Sequence, residues 1–256
     1  MFRENALKKK LLDGNPALSC WLHLTSPVAA EIMSLAGYDG AVIDLEHGPV
    51  DYLGATALMQ AMSASSTSSI IRVPWNDPVE IKRALDTGVE GIMMPSVDTA
   101  EAAQAAVAAC HYPPQGIRGA AHILNRASSY GLDQERYLRE NARELLVICQ
   151  VESLDSVSNI EEIAAVDGID MLFIGPLDLS GDTGKLGDFA NPTFVDALAR
   201  AEQVIVESDK LLGGIPRPDD SPLKMFARGY NFVVSSSDVM LLRDAALRDL
   251  LENTPR

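Results

Sequence analysis

The run Val42-Ile-Asp-Leu-Glu-His-Gly-Pro49 ends an apolar stretch with two carboxylates and an imidazole inside four residues. An imidazole titrates close to neutral pH, so His47 is a candidate general base. Asp44 and Glu46 are candidates to orient it or a neighbouring group. Arg72 closes the apolar run "SIIRV", where a charge is costly without a partner. It can hold a substrate carboxylate or an oxygen that becomes negative during reaction, or it can be a structural ion pair with Asp44 or Glu46. Glu152 and Asp178 each follow an apolar run, Gln150 precedes Glu152 by two, and "FIGPLDLS" carries the turn Gly175-Pro176-Leu177-Asp178. Two carboxylates completed by water and substrate oxygens suit Mg²⁺ or Mn²⁺. Taken singly, each carboxylate also reads as a helix cap or a solvated strand end. Pro176 has no N–H, which leaves the amides of Leu177 and Asp178 free to meet a small carboxylate.

Other groups are set aside. His23, between Leu22 and Leu24, reads as a core histidine. Zinc is disfavoured, because no His–His or His–Cys pair has ligand spacing. None of the seven lysines (Lys8, Lys9, Lys10, Lys82, Lys185, Lys210 and Lys224) falls in an apolar run, so no Schiff-base lysine is expected.

These residues need a scaffold that gathers them. Eight apolar runs, at 18–24, 40–45, 69–73, 91–94, 145–151, 171–174, 211–215 and 231–234, alternate with helix-period segments such as 27–36, 52–63, 77–85, 99–109 and 191–208. Eight strands alternating with helices predict a closed (β/α)8 TIM barrel, one domain over residues 1–256. The rival is an open doubly wound sheet, but "TSPV" after the first run lacks the glycine-rich nucleotide turn. No nucleotide cofactor is expected. In a barrel, reacting groups come from the C-terminal ends of strands, which selects the residues named above. The irregular stretch 112–141, "YPPQGIRGAAHILNRASSYG" and beyond, is read as a functional connection because of its length.

The bulk composition narrows the partners. Of 256 residues, 47% are hydrophobic and 22% charged, and 36 acidic against 21 basic residues give a net charge of -15. Nucleic acid and anionic membranes reward clustered Lys and Arg, so neither is an expected partner. The uncharged window 54–71 is too rich in Ser, Thr and Gln for a membrane span. The three cysteines lack ligand spacing and read as buried thiols of a cytoplasmic protein.

At this point "IDLEHGP", "RVPWNDPVEIKRALDTGVEGIMMP", "YPPQGIRG", "QVES" and "FIGPLDLS" resemble, in order and spacing, the HpcH/HpaI family of class II pyruvate aldolases over residues 16–246. The resemblance implies a barrel holding Mg²⁺, Mn²⁺ or Co²⁺ on Glu152 and Asp178. Pyruvate or a hydroxypyruvate-like donor would be the nucleophile and an aldehyde the acceptor. It implies Arg72 at the enolate oxygen, His47 as base, Gln150 against substrate, Leu177 and Asp178 amides at the carboxylate, and Asp86 raising the basicity of the histidine. It also implies a homo-oligomer, commonly a hexamer. Related lyases acting on acyl-CoA esters, or a barrel without catalysis, are the alternatives. Two departures stand out: Leu177 where the family usually has Ala, and Ser235-Ser236-Ser237-Asp238 where a Gly is common.

Overall fold

In the computed structural model, which describes residues 2–254, the apolar runs become β1 (Ala17–Leu22), β2 (Gly40–Asp44), β3 (Ser68–Arg72), β4 (Gly91–Met94), β5 (Leu146–Val151), β6 (Met171–Ile174), β7 (Leu211–Gly214) and β8 (Phe232–Ser237). All pair in parallel with their sequence neighbours, and β8 closes on β1. This is the (β/α)8 barrel that the alternation predicts, and the open-sheet rival is excluded.

Helices start where local chemistry favours it. Ser26 caps α2 (Pro27–Leu35), Asp51 caps α3 (Tyr52–Met62), Asp77 caps α4 (Pro78–Asp86) and Thr99 caps α5 (Ala100–Cys110), each side chain accepting from first-turn amides. Pro27 and Pro78 open their helices, where a missing N–H costs nothing.

Side chains alternate across a strand, so one parity of each strand faces the barrel axis. Ala17, Val42, Ile70, Met93, Ile148, Phe173 and Phe232 form that inner layer, and Leu7 and Leu11 of α1 (Ala6–Leu12) close it from below. The other parity packs outward against the helices. Continuing the inner parity toward the C-terminal end gives Asp44 after Val42, Arg72 after Ile70, Gln150 and Glu152 after Ile148, and Gly175 after Phe173. The alternation that builds the core therefore also aims the polar groups into one mouth.

Residues 112–141, the long connection between β4 and β5, gather at one end of the barrel. α5 runs antiparallel to the strands and returns the chain to the N-terminal end of the barrel. There Arg126 donates to the Thr87 carbonyl at 2.7 Å, just before β4 begins. A 3-10 turn (Arg126–Ser128) and α6 (Gln134–Glu144) occupy part of the stretch. It lies at the end opposite the polar mouth of its own barrel. The remaining helices are α7 (Leu154–Ser158), α8 (Ile160–Ala164), α9 (Pro176–Asp182), α10 (Pro192–Glu207), α11 (Pro222–Ala227) and α12 (Asp238–Asn253). Among the described residues no helix is long and apolar enough to cross a membrane. The three cysteines are free and buried.

Candidate active site

Asp44 and Arg72 are register partners on β2 and β3, so their side chains emerge side by side. Arg72 grips Asp44 with two parallel bonds, Nε to Oδ1 at 2.9 Å and Nη2 to Oδ2 at 2.7 Å. Its third nitrogen, Nη1, lies 3.0 Å from Glu46 Oε2, which is buried and has no aligned hydrogen bond. Beneath the guanidinium lies the Trp21 ring, 4.4 Å away. The ion pair and the catalytic reading of Arg72 are therefore compatible: Asp44 fixes the fork and Nη1 faces the mouth edge with Glu46. Asp44 is fully buried. Burial alone would raise its pKa, but hydrogen bonds from His23 and Arg72, the Arg72 charge and the His47 amide hold it well below the usual carboxylate range.

Glu152 lies just beyond β5. Its Oε1 accepts the Ser96 N–H at 2.8 Å and its Oε2 accepts Gln150 Nε2 at 2.6 Å. Ser96 has φ of 53°, a left-handed conformation uncommon outside glycine, and this turn directs its amide to the carboxylate. A Cβ on Gly175 would sit 2.9 Å from Glu152 Oε2 and 3.0 Å from Glu152 Cβ, so any larger residue would push the Glu152 side chain from its place. Pro176 is the first helical residue of α9, with Gly175 at its N-cap. Leu177 and Asp178 therefore lie in a first turn, whose amides have no intrahelical acceptor. Leu177 is 46% exposed, so its bulk projects outward and is not packed away. Burial, followed by the charges of Glu46 and Asp178, raises the Glu152 pKa against the lowering effect of the Ser96 amide. Glu46 is likewise raised, first by burial, then by Asp44 and Asp178, with Arg72 and His47 opposing.

Glu46, Glu152 and Asp178 thus repel one another across the mouth. Among the described residues no group of three or more His, Cys, Asp or Glu is arranged as a ready metal cage. Two protein carboxylates with water and substrate oxygens is the pattern Mg²⁺ uses, and Glu152 and Asp178 are the residues that would hold it.

His47 sits on the turn after β2 with its side chain 64% exposed and Nε2 3.9 Å from Glu46 Oε1. The turn is tight: a Cβ on Gly48 would fall 2.3 Å from the Asp44 carbonyl oxygen, so the glycine of "EHGP" lets the chain double back and present the imidazole to the mouth rim.

Two expectations change. Asp86 ends α4, at the N-terminal end of the barrel. It accepts from Arg118 Nη2 and Asn125 Nδ2, both at 2.8 Å. Because the helix carries it away from the strand ends, it does not join His47 within one chain. His23, expected in the core, instead enters the site: its Nε2 is 3.0 Å from Asp44 Oδ2. Ser96, passed over in the sequence, is the other missed residue. The signal for His23 was available, since positions 17, 21 and 23 share one parity and Ala17 and Trp21 face the barrel interior. For Ser96 there was none, because its role rests on its backbone conformation.

Residues 18–245 match the model of the family described as HpcH/HpaI aldolase/citrate lyase. The chain is 38% identical over 240 residues to a hydroxypyruvate/pyruvate aldolase of Chromohalobacter salexigens, covering 93% of this chain and 94% of that one. It is 36% identical over 243 residues to a 4-hydroxy-2-oxo-heptane-1,7-dioate aldolase of Escherichia coli, covering 95% and 92%. A crystal structure of an HpcH/HpaI aldolase/citrate lyase family protein from Burkholderia cenocepacia superposes with a TM-score of 0.92 at 35% identity, covering 97% and 98%. With fold, strand-end chemistry and sequence in agreement over nearly its whole length, the chain belongs to the HpcH/HpaI aldolase/citrate lyase family.

Proposed function

We propose that this protein is a divalent-metal-dependent carbon–carbon lyase. It cleaves 4-hydroxy-2-oxo acids to pyruvate, or a hydroxypyruvate-type product, and an aldehyde, and it runs the aldol addition in reverse. The observation that carries this reading is the Arg72 guanidinium, locked by Asp44 beside the carboxylates of Glu46, Glu152 and Asp178. The aldolase relatives support the same reaction class.

In cleavage, His47 takes the proton of the C4 hydroxyl, directly or through a water. The C4–O⁻ pair forms the aldehyde carbonyl, the C3–C4 bond breaks, and its electrons move to give a C2–C3 double bond with charge on the C2 oxygen. Arg72 meets that oxygen from a position fixed before reaction, which lowers the barrier without reorganisation. A proton delivered to C3 completes pyruvate. A Mg²⁺, Mn²⁺ or Co²⁺ ion held by Glu152 and Asp178 would act as a Lewis acid on the C2 carbonyl. Gln150 keeps Glu152 in place and faces the substrate, and the amides of Leu177 and Asp178, with Gly175 and Pro176 shaping the turn, receive the substrate carboxylate.

The protein acts as a homo-oligomer, a hexamer by family pattern, in the cytoplasm. For Asp86 to support His47 the two must come from different copies, since α4 carries Asp86 to the other end of its own barrel. The test is pyruvate release from a 4-hydroxy-2-oxo acid after dialysis against EDTA, compared with the same acid after Mg²⁺ is restored and with acyl-CoA esters. Release is expected only with metal and only from the free acid; full release by metal-free protein would contradict the reading.

A further inference from the structure

Several groups outside the assigned roles are buried and unsatisfied, and His23 is the one tied directly to the chemistry. Its imidazole stands past the end of β1 on the inner parity, beside Trp21 at 6.1 Å between ring centroids. The main chain there is pinned, because the His23 and Leu24 amides donate to the two Asp238 carboxylate oxygens, each at 3.0 Å. Nε2 meets Asp44 Oδ2 at 3.0 Å, and the same oxygen accepts Arg72 Nη2 at 2.7 Å. Asp44 Oδ1 already takes Arg72 Nε and the amides of Glu46 and His47. The second ring nitrogen, Nδ1, is buried with no partner among the described residues.

An ionised carboxylate only accepts hydrogen bonds, so His23 Nε2 carries a proton toward Asp44. Asp44 Oδ2 then divides its charge between two donors, His23 and Arg72. Without His23, Oδ2 would belong to Arg72 alone. Oδ1 would keep its two amide donors, but Oδ2 would lose its second anchor, and more of the Arg72 charge would be spent inside the pair.

We infer that His23 is a positioning residue for the enolate-stabilising arginine: by hydrogen-bonding Asp44, it fixes the carboxylate that fixes Arg72. The inference rests on the lyase reading for what Arg72 does, but its geometry is independent of which aldehyde is handled. Partners that orient a catalytic group through one intermediate typically cost roughly 10–100-fold when removed.

The test compares wild type, His23→Phe, His23→Asn and His23→Gln, all Mg²⁺-loaded. It reads kcat and KM for pyruvate release, together with the affinity for oxalate, a planar dianion shaped like the pyruvate enolate. Phe fills the ring's space without a donor, Asn keeps a polar group too short to reach, and Gln keeps an N–H of similar reach. The expected result is a kcat lower by roughly 10–100-fold in Phe and Asn, with KM within about twofold and oxalate affinity falling in parallel. Gln should recover most of both. Wild-type kcat and oxalate affinity in Phe or Asn, whatever their melting temperatures, would overturn the inference. So would a Gln variant as impaired as Phe. If wild type itself releases no pyruvate, the lyase reading fails, and parallel oxalate affinities across the four proteins still decide whether His23 places Arg72.

Discussion

Asp44 is the residue on which the mouth turns. It ends β2 fully buried, and it accepts from Arg72, His23 and two backbone amides. Replacing it with Asn leaves the nearly buried Arg72 without its main counter-charge, a change that typically costs about 3–5 kcal/mol. The pH dependence has a definite sign. Asp44 has a depressed pKa in the folded state, so its stabilisation is fully present above the unfolded value of about 3.9 and fades only as pH falls below it. Denaturant melts of wild type and Asp44→Asn between neutrality and acid should show a constant gap down to about pH 4 that narrows below. A gap that already narrows near pH 6 would contradict the pairing. Arg72→Ala should lose roughly 3 kcal/mol or more of transition-state stabilisation, read as at least a hundredfold drop in kcat.

At the scale of elements, the strand-end logic made most of the mouth legible. Once the apolar runs are taken as barrel strands, inner parity alone brings Asp44, Arg72, Gln150 and Glu152 together, and all four bond within it. The turn from β6 to α9 is equally readable, because a glycine followed by proline at the end of a strand announces a helix start. Its reason, the passage of the Glu152 side chain over Gly175, needs coordinates. Gly175→Ala should displace Glu152 and weaken Mn²⁺ binding by calorimetry while the melting temperature changes little. Unaltered Mn²⁺ affinity would show that Glu152 is not held there. What stayed hidden depends on helices carrying residues to the other end. Asp86 sits four residues from Lys82 and three from Arg83 in a motif near the mouth residues in sequence, yet α4 delivers it to Arg118, which is 3% exposed. Asp86→Ala should therefore destabilise by about 1.5–3 kcal/mol, measured by urea unfolding of the isolated protein, through loss of a charged hydrogen bond to a buried arginine. The irregular 112–133 hid for the same reason, as no local pattern says which end of a barrel a long connection serves.

The whole molecule carries one feature that the amphipathic patterns did not single out. In α12 only Asp238 is buried, and Leu242, Leu250 and Leu251 are more than half exposed. On α2, which α12 touches, Val28, Ile32 and Leu35 are also more than half exposed. Exposed apolar side chains on two touching helices are what association with another copy would cover, in line with the proposed homo-oligomer. Leu242→Asp combined with Leu250→Asp should lower the mass measured by light scattering; an unchanged mass would place the contact elsewhere. The chain carries a net charge of -15, and in the proposed reaction a bound cation helps the mouth receive an anionic substrate. That role of the cation is the core of the account, and exchange of the pyruvate methyl protons for deuterium reports it without requiring any aldehyde. By proton NMR, the Mg²⁺-loaded protein should erase the methyl signal, and the EDTA-treated protein and Mg²⁺-loaded Arg72→Ala should leave it intact. Equal exchange by the metal-free protein would contradict the assignment of Glu152, Asp178 and Arg72 as the groups that make and hold the enolate.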